Sequence, residues 1–196
     1  SHEVSLIEKR LSRDKHPNKM FFSYANTVAT IDFAKQFKGH GWVGISFQIE
    51  PDEAYNEIIL HIRFKETDSR LQQETLGILG VNLIYGAYYK YNDPKKLLRY
   101  LYDHLDKDQL EIDTINFSGP RFADVDNRLM SLQLVKNGMT DAVMFNPEGK
   151  NILPAAILYK KNLLAFRGSF RPVTKVNMDM YEKSLKMFLN ENKVEK

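Results

Sequence analysis

The sequence contains no cysteine among its 196 residues. Disulfide bonds, thiolate nucleophiles and cysteine-based zinc sites are therefore excluded for this chain. The excess of charge is small. The chain has 28 lysine and arginine residues and 25 aspartate and glutamate residues, for a formal charge of +3. The two signs are interspersed, whereas a nucleic-acid-binding protein usually gathers its cations on one face. The composition thus argues against nucleic acid as the partner.

A long apolar run is missing as well. The longest apolar stretch, residues 75–91, is interrupted by three glycines and by Asn82. It is too short to span a bilayer, which takes about 20 apolar residues. The first residues show no basic start followed by an apolar segment, the pattern of a secretory signal. We therefore expect a cytoplasmic protein with no membrane partner.

Length and composition favour one compact domain. With 43% apolar residues over 196 positions, the chain can bury one sizeable core, and we expect a single domain over residues 1–196. Residues 3–15 repeat apolar side chains at helical spacing, which predicts a short amphipathic helix that ends at Pro17.

Two segments alternate apolar and polar residues, the period of a strand with one buried face. They are residues 42–49 and 57–65, and the short segment between them predicts an antiparallel hairpin. Gly39, His40 and Gly41 predict a turn or loop just before the first of these strands. The polar face of the hairpin is expected to display Ser46, Gln48, His61 and Arg63 together.

The rest of the chain mixes helices and strands. Helices are expected after Asp68 and after Asp93, each of which is a good N-cap, and over residues 176–192. A strand over 110–117, a helix capped by Asp124 or Asp126 and ended by Gly138, and a strand over 140–145 predict a βαβ-like unit. Residues 157–159 and 163–167 suggest a hairpin. The predicted class is α+β, with a mixed or mainly antiparallel sheet and helices packed mostly on its apolar face.

Residues 166–171, Phe-Arg-Gly-Ser-Phe-Arg, are the strongest candidate for an anion site. Arg167 and Arg171 flank a Gly-Ser turn, and Ser169 adds a hydroxyl. Guanidinium forks and exposed backbone N–H groups suit a phosphate or a carboxylate. The structural alternative is that each arginine pairs with a carboxylate. No phosphate-loop or dinucleotide motif occurs, so the sequence identifies no cofactor.

Asp124 and Asp126 are two residues apart, a spacing that a hard cation such as Mg²⁺ can use. Helix capping explains them equally well, because an aspartate at a helix start accepts backbone hydrogen bonds and favours the positive end of the helix. They are the metal candidates of the sequence. Asn127 and Arg128 follow at the same helix start and are candidates for ligand contacts.

Histidine and aspartate supply the catalytic candidates, which are His40, His61 and Asp126. A histidine between two glycines has the freedom to act as an acid, a base or a ligand. His61 is expected beside Arg63 on the polar strand face. Most lone histidines have surface or packing roles, and no HExxH or GxSxG motif occurs in the chain.

Five segments of the chain resemble a bacterial family. They read HGWxGIxFQ, LQQExLGILGVNLIYGA, FSGP, VDNRLMSL and RGSFRPVT, at residues 40–48, 71–87, 117–120, 125–132 and 167–174. Proteins of this family carry the labels TonB-dependent receptor and nicotinate-nucleotide adenylyltransferase. The sequence supports neither label, since no secretory signal and no His-x-Gly-His phosphate motif are present. Relatives continue into a further α/β region, so the resemblance implies one domain of a longer protein or a short relative.

These observations lead to one expected function and two alternatives. We expect recognition of an anionic small molecule, nucleotide-like or phosphorylated, and phosphoryl or nucleotidyl chemistry if the protein is an enzyme, because such reactions run largely on positioned cations. The alternatives are a non-enzymatic interaction or homo-oligomerisation module and a regulatory domain of a longer enzyme. The expected ligand contacts are Arg167, Ser169, Arg171, Asn127, Arg128, Gln48 and Arg63.

Overall fold

The computed structural model describes residues 17–31 and 38–192. The helix predicted over residues 3–15 lies outside this part of the chain. Two compact units are present, Ser1–Leu153 and Pro154–Lys196, and each is described by itself.

The first unit is built on a four-stranded antiparallel sheet in the order β1–β2–β3–β4. Its strands are β1 (Phe22–Ile31), β2 (Lys38–Phe47), β3 (Asn56–Phe64) and β4 (Leu110–Ser118). The predicted hairpin is confirmed, since β2 and β3 pair antiparallel with Ile45 opposite Ile58. Alternate residues of the strands point to one buried face, as their period of two requires.

The prediction of a turn around His40 was wrong, because this residue lies within β2. Glycine often indicates a turn, but a different feature, the close approach of a neighbouring strand, requires glycine at position 41. A Cβ atom at Gly41 would lie 2.3 Å from the backbone oxygen of Thr27 on β1. The close approach of two backbones therefore requires glycine in the strand.

Three α-helices lie in the described part of the first unit: α1 (Ser69–Tyr89), α2 (Pro94–Tyr100) and α3 (Asn127–Lys136). Each begins at a predicted aspartate, with Asp68, Asp93 and Asp126 accepting hydrogen bonds from backbone N–H groups of the first turn. Their buried apolar residues form one core with the apolar face of the sheet. The core includes Ile45, Ile58, Leu60, Ile62, Leu79, Leu83, Leu98, Ile115 and Leu134.

The α+β class is confirmed, and the sheet is antiparallel rather than mixed. Strand β5 (Met144–Phe145), which follows α3, pairs with β6 (Asn151–Ile152) and not with β4. The predicted βαβ-like unit therefore contributes no parallel pair within residues 38–192. The turn that joins β5 to β6 is closed by a hydrogen bond from Gly149 N–H to the backbone oxygen of Asn146, 2.9 Å long.

The second unit contains α4 (Pro154–Leu158) and α5 (Lys175–Asn192). The predicted hairpin around residues 157–167 was wrong, because residues 154–158 are helical and residues 161–167 are irregular. Proline is favoured in the first turn of a helix, as at Pro154. This preference favours a helix more strongly than the three residues 157–159 favour a strand. The predicted last helix is confirmed as α5. No helix in the described ranges is long and apolar enough to cross a membrane.

Candidate functional site

The face of the sheet opposite the helices, here called the open face, carries partly exposed apolar and polar side chains. Trp42 is 42% exposed and Ile59 is 37% exposed. Trp42 lies opposite His61 on β3, which in turn lies opposite Thr114 on β4. An accessible tryptophan on an open sheet face offers a flat surface for stacking.

A cleft of about 630 Å³ lies over part of the open face. Its floor is formed by Trp42, Ile59, Thr114 and Asn116, from three adjacent strands. Its walls are the N-terminus of α3 and the turn between β5 and β6. The cleft therefore combines an apolar pair, Trp42 and Ile59, with polar side chains on the rest of the floor and polar and charged walls. The polar wall residues are Asp126, Asn127, Arg128, Lys150 and Asn151.

Two asparagines fix these walls to β4, which is an edge strand of the sheet. The Phe117 N–H donates to Asn127 Oδ1 at 2.7 Å, and Asn127 Nδ2 donates to the Phe117 oxygen at 2.9 Å. Asn151 Nδ2 donates to the Ile115 oxygen at 3.1 Å. These amides take the place of a fifth strand, because edge backbone groups need partners. Asn127, expected to contact a ligand, thus positions α3.

Asp126 and Arg128 form the charged pair of the cleft wall. Asp126 accepts from Arg128 Nε at 3.1 Å and from Nη2 at 2.8 Å, and it also caps α3. Hydrogen bonds from the side chain and then from the backbone N–H of Arg128 lower the pKa of Asp126 to about 2. A Cβ atom at Gly149 would lie 3.3 Å from Arg128 Cδ and Nη1, so the guanidinium also rests against the turn.

Lys150 supplies the second cation of the cleft. Its side chain is exposed, and it forms no ion pair with any residue that the structure describes. Since Asp126 offsets Arg128, the cleft walls carry one net positive charge from Lys150. A monoanionic or dianionic group is the ligand chemistry that this charge favours.

The structure places the two metal candidates, Asp124 and Asp126, in different surroundings. Asp126 is engaged by Arg128, and Asp124 is exposed. Among residues 17–31 and 38–192, no three histidine or acidic side chains are grouped so that they could hold a metal ion. Capping, the alternative explanation of Asp126, is confirmed by its hydrogen bond with the Arg128 N–H.

Gln48, predicted on the polar face of the hairpin, is buried and engaged by backbone groups. Its Oε1 accepts from the Phe21 N–H at 3.1 Å, and its Nε2 donates to the Glu53 oxygen at 2.6 Å. His61 and Arg63 do lie together, because both contact Asp113. The structure therefore separates Gln48 from His61 and Arg63.

Asp113 is a polar residue that the sequence prediction missed. Between His61 and Ile62 the register with β4 shifts, so that His61 faces Thr114 while Ile62 faces Ile112. Asp113 is the extra residue of this β-bulge. A signal was present in the sequence, since the inward residues Ile112 and Ile115 are three apart instead of two.

The second unit holds the other predicted ligand contacts, Arg167, Ser169 and Arg171. All three side chains are exposed, in an irregular segment that precedes α5. The neighbouring rings of Phe166 and Phe170 stack with centroids 5.7 Å apart, and Phe166 also packs edge-on against Tyr181 of α5. The aromatic pair thus anchors the segment, while the polar side chains face solvent.

Comparisons with protein-family models, with curated proteins and with solved structures give no significant match for this chain. The family resemblance of the five segments therefore stays a prediction. The geometry of the cleft and of the open face carries the functional argument.

Proposed function

We propose that the cleft binds an anionic small molecule that carries a flat ring, such as a nucleotide-like or phosphorylated compound. The proposal rests on one observation. The exposed Trp42 lines the same cleft of about 630 Å³ as Arg128 and Lys150. Cavities that hold small molecules have volumes of about 300–1,000 Å³, so the cleft is large enough for such a ligand.

The ring of the ligand lies against Trp42 in this proposal. Stacking of a nucleobase on an aromatic side chain contributes about 1–3 kcal/mol and tolerates different bases. Ile59 extends the apolar part of the floor beside Trp42, and the exposed Asn116 offers an amide to the edge of the ring. The floor therefore suits a planar heterocycle better than a flexible chain.

The anionic group lies at the rim of the cleft, between Arg128 and Lys150. Asp126 occupies Nε and Nη2 of Arg128 and holds the guanidinium in one orientation. A fixed guanidinium loses little conformational entropy on binding, whereas Lys150 acts as a mobile point charge. We expect Lys150 to contribute most of the net attraction, because no carboxylate in the described ranges is paired with it.

Thermal-shift measurements with AMP, adenosine and inorganic pyrophosphate test the proposal. AMP combines a ring with an anion, and the other two probes carry one part each. At ten times its dissociation constant, AMP is expected to stabilise the protein by about 1.4 kcal/mol. For a chain of this size this raises Tm by about 3–6 °C.

Lys150→Ala is the variant that connects binding to the cleft, and Lys136→Ala is its matched control. Lys136 is exposed at the other end of α3 and does not line the cleft. We expect Lys150→Ala to weaken AMP binding about tenfold and Lys136→Ala to leave it unchanged. Equal effects of the two variants, or no shift with any of the probes, would refute the cleft as the site.

Arg167, Ser169 and Arg171 are proposed as a further anion contact on the second unit. Their exposure and the absence of an ion pair for either arginine within the described ranges support this proposal. The double variant Arg167→Ala/Arg171→Ala decides it, because unchanged stabilisation by pyrophosphate and AMP would remove these residues from the binding function.

A second candidate function, an interaction module, is favoured by an apolar stripe on α1. Val81 and Tyr89 are 67% and 70% exposed, and Tyr85 lies between them at a spacing of four residues. Tyr85 stacks on Tyr89 with centroids 4.6 Å apart, which makes the surface rigid. Light scattering across concentration, with Tyr89→Ser as the variant, tests self-association. A monomer at every concentration contradicts self-association through this stripe.

A further inference from the structure

A series of three titratable side chains crosses the open face beside Trp42. Asp113 Oδ1 lies 2.7 Å from His61 Nδ1, and His61 Nε2 lies 3.3 Å from His40 Nδ1. His61 and Asp113 are 2% and 4% exposed, whereas His40 is exposed. The series therefore runs from a buried carboxylate to an imidazole at the surface. None of the three residues lines the cleft.

The contacts determine where the protons lie when both imidazoles are neutral. The carboxylate can only accept, so His61 carries its proton on Nδ1 and donates it to Asp113. The Nε2 atom of His61 then has a lone pair and accepts the Nδ1 proton of His40. As a result, the Nε2 atom of His40 keeps a lone pair at the protein surface.

Arg63 completes the arrangement from the exposed side. Its Nε lies 3.1 Å from Asp113 Oδ2 in an ion pair, so one carboxylate oxygen meets His61 and the other meets the guanidinium. The rings of Trp42 and His61 pack in an edge-type arrangement, with centroids 5.0 Å apart. A carboxylate that orients a histidine, which in turn orients a second group, is a recurring arrangement in catalytic sites.

We propose that Asp113, His61 and His40 form a proton relay in which His40 Nε2 acts as a general base toward a hydroxyl group or water molecule at the open face. His40 Nε2 takes the proton from the O–H bond while the Nδ1 proton of His40 passes to His61 Nε2. His61 becomes an imidazolium beside the Asp113 carboxylate, and the deprotonated oxygen keeps the electron pair. His40 is the proton acceptor, and His61 and Asp113 are positioning residues.

This inference goes beyond the proposed ligand binding and does not depend on it. A purely structural His61–Asp113 pair explains the burial of these two residues, but it does not require a second histidine in series. Burying charged groups is unfavourable, and apolar residues of similar volume often stabilise such a position better. A proton-transfer role accounts for both the buried pair and the exposed end.

The proton positions are tested directly by the ¹⁵N chemical shifts of the imidazoles in the full chain. The spectra are recorded at about pH 8.5, above the range in which histidine usually titrates. We expect the Nδ1–H form for both His61 and His40 in the unmodified protein. Detection of the Nε2–H form at His61 overturns the proposal without any variant.

Asp113→Asn is expected to reverse the relay. The positive charge of Arg63 attracts the amide oxygen of the new side chain, so the NH₂ group faces His61 Nδ1. His61 then carries its proton on Nε2 and donates a hydrogen bond to Nδ1 of His40. The proton of His40 itself lies on Nε2. Unchanged ¹⁵N shifts at both rings in this variant contradict the relay.

Acylation by diethyl pyrocarbonate, followed by mass spectrometry of each histidine, tests the reactivity of the surface nitrogen. His104 is the internal control, because it is exposed and forms no hydrogen bond with any described residue. We expect His40 to react about tenfold faster than His104, and this advantage to disappear in Asp113→Asn.

His61→Phe keeps the experiment decisive if the Asp113→Asn variant does not fold. It interrupts the relay, while Asp113 retains Arg63 as its partner. The reactivity of His40 is expected to fall to that of His104. Equal reactivity of His40 and His104 in the unmodified protein, or an unchanged His40 rate in His61→Phe, refutes the relay.

Discussion

Replacing Asn127 with alanine tests how α3 is fixed to the edge of the sheet. Both backbone groups of Phe117 that point away from β3 are bonded to the Asn127 amide, at 2.7 and 2.9 Å. Asn127→Ala removes both hydrogen bonds and leaves the Phe117 N–H and oxygen without these partners. The perturbation is therefore confined to the joint between β4 and the first turn of α3.

The expected cost follows from the two bonds. Each contributes about 0.5–1.5 kcal/mol net, so together they stabilise the fold by about 1–3 kcal/mol. For a protein of this length a loss of this size lowers Tm by about 2–12 °C. Urea unfolding at equilibrium gives the free energy directly, provided that the slope with urea is unchanged.

Asn127→Asp and Asn92→Ala sharpen this test. Aspartate keeps the acceptor for the Phe117 N–H but places a second oxygen against the Phe117 carbonyl, so we expect it to restore little stability. Asn92 is exposed and forms no hydrogen bond with a described residue, so Asn92→Ala is expected to stay within about 0.5 kcal/mol of the unmodified protein. If Asn127→Ala is as stable as Asn92→Ala, the amide does not fix α3.

Three other changes test the fold and the cleft. Gly41→Ala is expected to destabilise by about 1–3 kcal/mol in urea, because its Cβ would meet the Thr27 oxygen at 2.3 Å. Gly77→Ala, with nothing within 4 Å of its Cβ, is expected to stabilise α1 by up to about 1 kcal/mol. The pKa of Asp126 is about 2 in the fold and about 3.9 unfolded. Its stabilisation is therefore present above about pH 4 and lost toward pH 2, so the stability difference from Asp126→Asn should shrink over that range.

Local signals in the sequence predicted most of the first unit. The alternation of Ile58, Leu60 and Ile62 identified the hairpin, because side-chain period and burial coincide there. Asp68 and Asp126 marked helix starts through contacts within three residues of each cap. These features depend on neighbours in the chain, which a single sequence contains.

The missed features depend on contacts between distant residues. Asn127 bonds to Phe117 across ten positions, and His61 meets Asp113 across 52 positions. Gly41 is required by a backbone oxygen on another strand, which turn propensity does not describe. Sequence spacing therefore named His40, His61 and Arg128 as candidates but could not show which groups face them.

The bulge at Asp113 connects the two proposed sites. Regular alternation from Leu110 and Ile112 would direct Thr114 and Asn116 into the core and turn Ile115 and Phe117 outward, because a shift of one residue reverses every side chain of a strand. The extra residue corrects this. It returns Ile115 and Phe117 to the core, leaves Thr114 and Asn116 on the floor of the cleft, and places Asp113 against His61. The same irregularity thus produces the polar half of the cleft floor and the buried end of the proposed relay.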